Sequence, residues 1–433
     1  MLKDIWTKYN KIIIGGAIIL IIIFGSSVFT LFRRPIKLTV WGSNLSSEEF
    51  DLLTASIKPK SGNVIKFEYT EIESEKYEKT ILESFINSES PDIFLITDDQ
   101  IGKFKKLISP LSLEDKNYNL ANLKKDYPTI IVDNAVIDNN LYVSPITIDS
   151  LAMYYNRNIF DSLSIANPPK TWNELLALIP DMRQLDTYNR IVRAPVAMGL
   201  GDDINNSADM LALLIMQFNG QIVDAENQKS SLLIRTKFNN KYILAGEEAL
   251  KFYTQFSQSN NQYYSWNQSF GNDLTAFANN KLAIYFGYKS DKDQIEKKNA
   301  NLNFDVAEMP QILSNNSVNF GKFMGLTVSS QSKNAMVAWE AIKLMTEAKN
   351  IKSLIDESKL PPANRQLISE YLSDPDIGIF AKQSLNSKTY FHPDTTLTKN
   401  AFVLAIDSIR YNQDYENAIR VLHQSLTNIF YNN

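Results

Sequence analysis

The sequence predicts an α/β protein with parallel sheet, divided into more than one core and preceded by a membrane-spanning helix. Three observations predict this. A strand–helix–strand–helix–strand series runs through residues 36–99, the chain of 433 residues is too long for one ordinary core, and residues Ile12 to Phe32 contain no charge.

The series opens with Ile36 to Trp41, where apolar and polar residues alternate with the period of a half-buried strand. Gly42 ends it. Ser46 and Glu49 then form a capping box, each able to satisfy a donor at a helix N-terminus, and Phe50, Leu53 and Ile57 follow on one helical face. Ile65 to Tyr69 alternates again, and Ser74 opens a helix whose Tyr77, Ile81 and Phe85 share a face. After Pro91 and Asp92, Ile93 to Ile96 is continuously apolar, as a strand covered on both faces should be, and Asp98 and Asp99 begin another helix. This βαβαβ order builds a parallel sheet with right-handed crossovers. Ligands of open α/β sheets sit beyond the carboxyl ends of the strands. Trp41, Ser43 and Asn44 after one strand, and Thr97, Asp98 and Asp99 after another, are therefore candidate contacts. Ser43 and Asn44 also suit a turn, Asp98 a helix cap and Trp41 a core.

The 21 uncharged residues from Ile12 to Phe32 give about 31 Å of helix, enough to cross a bilayer. A cleaved leader has a shorter apolar stretch, although Gly25, Ser26 and Ser27 would suit a cleavage site. Lys3, Lys8 and Lys11 precede the run while Arg33, Arg34 and Lys37 follow it, so flanking charge barely fixes orientation. With 11 residues before it and about 400 after, the run reads as a signal anchor. Residues 1–37 carry six basic and one acidic side chain, which leaves 38 basic against 47 acidic in the rest. Such an acidic remainder argues against nucleic acid as a partner. The absence of cysteine excludes disulfides, thiolate metal sites, a cysteine nucleophile and a lipidated N-terminal cysteine.

Several strings together resemble the extracellular solute-binding proteins of family 1, the maltose-binding-like group that serves sugar ABC importers. SPDIF (90–94) is similar to a strand of that family, PITIDSLAMYYN (145–156) to a segment that crosses between lobes, and PPKTWNEL (168–175) to a helix start, with Thr171 and Glu174 as a second capping box. FANNKLAIY (277–285) follows the same order, with Asn280 where the family usually has glycine. LNFDVAEMP (302–310) looks like a return strand to the first lobe, and GLTVSSQSKNA (325–335) and LPPANR (360–365) also fit.

The resemblance implies a two-lobed, periplasmic-binding-protein-like fold (type II) with ligand between the lobes and no cofactor. With the uncharged run read as a transmembrane anchor over 12–32 and residues 1–11 as a short cytoplasmic tail, the resemblance implies a first lobe from 37–147 plus 305–355 and a second from 150–300 plus 358–433. It also implies Asp149, Tyr288 and Lys289 as ligand contacts, with lysine close to where an aromatic platform is usual, and Phe323 and Met324 along the cleft rim. The partners it implies are a small solute, carbohydrate in class, and the permease subunits of an ABC transporter. The large C-terminal part would then lie outside the cytoplasm on a single-pass membrane helix. A tethered recognition protein that keeps the fold without transport is the alternative.

Other motifs point to little chemistry. Tyr263, Tyr264 and Trp266 form an aromatic cluster suited to a ligand face or a core edge. His423 lies on an amphipathic helix, and His392 lies in a loop that suits either the cleft border or a structural role. Neither belongs to a catalytic string. The loop from Asp202 to Asn206 lacks EF-hand spacing and suits a turn, cleft lining or a metal.

Overall fold

The computed structural model describes residues 35–432, apart from 56, 58–63, 116–117, 225–227 and 314–316. The expected tail over 1–11 and membrane helix over 12–32 lie outside the described residues. Among the described residues, no helix is long and apolar enough to cross a membrane.

The first sheet forms as the patterning predicts. Strand β1 (Ile36–Gly42) is followed by helix α1 (Ser47–Thr54), β2 (Ile65–Glu71), α2 (Ser74–Ile86) and β3 (Ile93–Thr97). β1 pairs in parallel with both β2 and β3. The Ser46–Glu49 capping box is present, and Phe50, Leu53, Tyr77, Ile81 and Phe85 are buried beneath the two helices. Helix α1 stops before Ile57, which packs against the core from beyond the helix end. Thr97 and Gln100 cap a tight turn at Asp98–Gln100 that leads into α3 (Ile101–Phe104).

The chain then crosses to a second core. Strand β4 (Ser144–Ser150) keeps Ile146 and Ile148 in the first core, while Leu151 and Met153, entering β5 (Ala152–Asn156), belong to the second. The second sheet surrounds β5. Helix α4 (Trp172–Met182), opened by the Thr171–Glu174 capping box, precedes β6 (Ile191–Val196) and α5 (Ser207–Gln217). Helix α6 (Asp273–Ala278), β7 (Leu282–Gly287), α7 (Lys289–Lys298) and β8 (Phe304–Ala307) complete it. The turn between α6 and β7 holds Asn280 at φ 59°. Asparagine tolerates this left-handed conformation better than most residues, and its side chain also accepts from Asn156 at 2.8 Å. The place usually taken by glycine is thus filled without loss of the turn.

A second crossing is β9 (Asn319–Val328), which runs antiparallel to β4. Phe320 lies in the second core, and Phe323, Leu326 and Val328 in the first. Helix α8 (Ala335–Met345) packs on the first core. The third crossing falls between Ile377, in the first core, and Phe380, in a second-lobe cluster. Strand β10 (Ser387–Lys388) and helices α9 (Thr395–Asn412) and α10 (Tyr415–Asn432) end the chain on the second lobe.

Two boundaries differ from expectation. The segment expected to return to the first lobe does not do so: β8 pairs with β5 in the second sheet, and Met309 and Val318 are buried in the second core. The return is made by β9. Conversely, Ala363, Leu367, Tyr371 and Ile377 pack in the first core rather than the second. Pro361 and Pro362 tie that segment to β4, where Ile148 N–H donates to the Pro361 carbonyl at 3.1 Å.

The two main crossings touch at Gly325, where a Cβ would come within 2.3 Å of the Ser144 carbonyl oxygen. Gly325→Ala must push β4 and β9 apart. It should destabilise the protein by about 1–3 kcal/mol in denaturant unfolding, as overpacking typically does. An unchanged unfolding midpoint would refute this view of the crossing.

Candidate functional site

The strand ends expected to carry ligand contacts divide into two groups. Beyond β1, the Trp41 ring packs on the edge of the first core and its carbonyl accepts from the Tyr77 hydroxyl at 3.0 Å. Ser43 is half-buried. Asn44 is exposed at φ 58° and accepts from Ser74 Oγ at 2.8 Å. Asn44 therefore forms the turn from β1 into α1, tied to the start of α2 through Ser74. None of these three lines the inter-lobe cavity described below.

Beyond β3, Asp98 is buried and accepts from the Phe323 backbone N–H at 3.1 Å and from Thr389 Oγ1 at 2.8 Å. It links β3 to the second crossing and to the loop before α9. Burial pushes its carboxyl up to about 8, aided by the neighbouring Asp99. Asp99 is half-buried and faces the cleft.

Asp149 lies on β4 opposite Lys322 on β9. Its oxygens accept the Lys289 N–H at 3.0 Å and the Ser290 N–H at 3.4 Å, so it sits at the positive N-terminus of α7. Burial still raises it to about 7, against the lowering effect of those backbone donors. Lys289 is buried, and its ammonium turns back along α7 to Asp293 at 3.3 Å. Phe323, expected on the rim, is buried in the first core because its side chain alternates away from Lys322 on the strand. Met324 is half-buried against the same core.

The residues that do converge come from both lobes. Asp99 from the first lobe, Asn205, Asn206 and Asp209 at the start of α5, Lys322 from β9, and Tyr390, His392, Thr395 and Lys399 leading into α9 line one cavity of about 50 Å³. Lys322 Nζ lies 2.6 Å from Asp209 Oδ2 and 4.8 Å from the centre of the Tyr288 ring. The Tyr288 hydroxyl donates to that same oxygen at 2.9 Å. Burial alone would lower the Lys322 ammonium, but Asp209 and Asp99 beside it outweigh burial and hold it raised. His392 stacks on Tyr390 with ring centres 4.1 Å apart, and burial lowers it to about 4. The lobes also meet directly, through Thr395 Oγ1 donating to the Asp99 carbonyl at 2.8 Å and through Lys103–Asp394 at 3.4 Å.

A larger inter-lobe groove of about 1250 Å³ runs between the Lys105–Tyr142 region and Met216–Gln228. It contains none of the residues expected to touch ligand, and the convergent charges lie in the smaller cavity. Of the expected contacts, Asp99 lines that cavity and Tyr288 lies beside it under Lys322 and Asp209. Asp209 and Lys322 carried no motif of their own, although the neighbouring 202–206 loop had cleft lining among its readings. Among the described residues, no group of three or more carboxylates or histidines is placed to hold a metal. Trp266 is fully buried and stacks on Phe270 at 4.9 Å, so that aromatic cluster belongs to the core of the second lobe.

Two α/β lobes joined by three crossings, with polar groups of both facing one cavity, form the architecture of a two-lobed binding protein. Residues 54–377 match the profile of bacterial extracellular solute-binding proteins, and the chain belongs to that family. Solved structures share the fold. A cyclic α-maltosyl-1,6-maltose binding protein from Arthrobacter globiformis superposes with a TM-score of 0.73 at 15% identity, over 92% of this chain and 100% of that one. The maltose-binding protein of Listeria monocytogenes, in complex with maltose, gives 0.69 at 18% identity, over 90% and 98%. A binding protein of Brucella abortus is 38% identical over 55 residues, which spans 13% of this chain and 13% of that protein.

Asp98 titrates near 8 in the fold against an ordinary 3.8. Its contribution to stability is therefore fully present below about pH 4 and lost as pH rises through about 8. Asp98→Asn cannot ionise, so its melting temperature minus that of the parent should rise from pH 5 to pH 9. A difference that stays flat over that range contradicts the assignment.

Proposed function

We propose that this chain is the membrane-anchored, extracytoplasmic binding component of an ABC importer. It captures a small hydroxyl-rich solute, carbohydrate in class, by closure of the two lobes and hands it to permease subunits. The observation that carries the reading is the set of acceptors and amides from both lobes around one inter-lobe cavity: Asp99 on one side, Asn205, Asn206 and Asp209 on the other. A ligand that bonds to both sides stabilises the closed arrangement over the open one by its differential contacts. Sugars present many hydroxyls, which the carboxylates and amides of this set suit as hydrogen-bonding partners. The solved neighbours support the class, since the proteins from Arthrobacter globiformis and Listeria monocytogenes bind maltose-type sugars by name. The uncharged 12–32 run supplies the tether that a missing lipidated cysteine cannot.

One observation favours the second reading, a tethered recognition protein without transport. The cavity of about 50 Å³ is small beside the roughly 300–1,000 Å³ of sites that enclose a drug-sized ligand. Transport requires the lobes to open before solute enters. The full chain in detergent, titrated with a broad saccharide panel, should show a raised melting temperature and a smaller radius of gyration with at least one sugar. No shift with any member of the panel would remove the carbohydrate reading and leave the recognition protein.

A further inference from the structure

The cleft already holds a cation of its own. Lys322 lies on the crossing strand, and its ammonium covers the face of Tyr288 while sharing Asp209 Oδ2 with the Tyr288 hydroxyl. Both features that would grip a neutral sugar at this point, an aromatic face and a carboxylate, are thus occupied. To use them, a neutral sugar must pull the ammonium away from its carboxylate and leave a partly buried charge unpaired, which is costly. A ligand that carries its own ammonium replaces charge with charge. The four-carbon stem of Lys322, 38% exposed as a side chain, gives its own ammonium a path toward solvent.

The rest of the cavity also seeks donors. Asp99 faces it from the first lobe. His392 lines it at 7% exposure, and its Nδ1 is buried without a hydrogen-bond partner. Kept neutral by burial, that imidazole can accept a hydrogen bond at one nitrogen. An ammonium offers three donors and no acceptor, which matches carboxylate, carboxylate and imidazole nitrogen. Lys399, the other cation at the cavity, is exposed.

We infer that the solute bears an amine: the cleft takes an amino sugar or similar hydroxyl-rich amine whose ammonium displaces Lys322 from Asp209. This rests on the carbohydrate reading of the same cleft and narrows it. Lys322 then acts as a specificity determinant, because it rejects solutes that cannot compensate for its displacement.

The test is calorimetric titration of the full chain in nanodiscs with a glucosamine tetrasaccharide, its N-acetylated counterpart, maltotetraose and putrescine. The glucosamine tetrasaccharide should bind at least about tenfold more tightly than the N-acetylated form, the scale of one charge-assisted hydrogen bond. Lys322→Met, which removes the internal competitor, should tighten that binding, and Asp209→Asn should erase the preference for the amine. Equal or tighter binding of the N-acetylated sugar or maltotetraose overturns the amine inference and leaves the carbohydrate reading standing. Binding of putrescine with none of the saccharides upholds the amine and overturns the carbohydrate reading. Absence of binding by all four probes overturns both.

Discussion

The structure turns on one rung of an antiparallel strand pair, where Asp149 on β4 faces Lys322 on β9. At this rung the chain passes from one core to the other. Ile148 and Phe323 lie in the first core, and Leu151 and Phe320 in the second. A strand that must fill a core at both ends exposes side chains to the space between only near its middle. Lys322 stands there, so the partly exposed side chain that lines the cavity also sits on the strand that joins the two cores. Asp149 is fixed at the start of α7, which ties the second lobe to the same rung. Any movement of the lobes therefore rearranges the charges around Lys322.

The balance of those charges gives the cleft its character. Asp98, Asp99, Asp149 and Asp209 approach a region in which Lys322 is the central cation. Burial of carboxylates without matching cations is what raises Asp98 and Asp149. Backbone donors meet part of the demand, the Phe323 N–H at Asp98 and the Lys289 and Ser290 N–H groups at Asp149. Those two carboxylates are committed to the hinge, whereas Asp99 and Asp209 remain turned to the cavity.

Much of the fold was legible because local rules and tertiary packing agree. The capping boxes at Ser46 and Thr171, the parallel βαβαβ order and the buried strand at Ile93 follow from residue spacing alone. The crossings were less legible. LNFDVAEMP reads as the return strand to the first lobe, and only its pairing with β5, and that of β9 with β4, shows that the later segment makes the return. Site residues were legible where a strand end pointed to them, as at Asp99. Phe323 and Lys322 are adjacent, and the alternation of a strand buries one and frees the other; its phase cannot be read without the partner strand. Asp209 lies one turn into a helix, and only the packing of that helix against the crossing brings it to Lys322.

The central claim is that the two cores are hinged bodies whose cleft closes around solute. A chain without cysteine permits a direct measurement of it, since labels go only where they are introduced. Spin labels at Glu75→Cys in the first lobe and Asp202→Cys in the second, both exposed positions, report the distance across the cleft by pulsed electron resonance. The account predicts a broad or two-peaked distribution without solute that collapses to its shorter component when solute is added. A single distribution that no binding solute changes would contradict it.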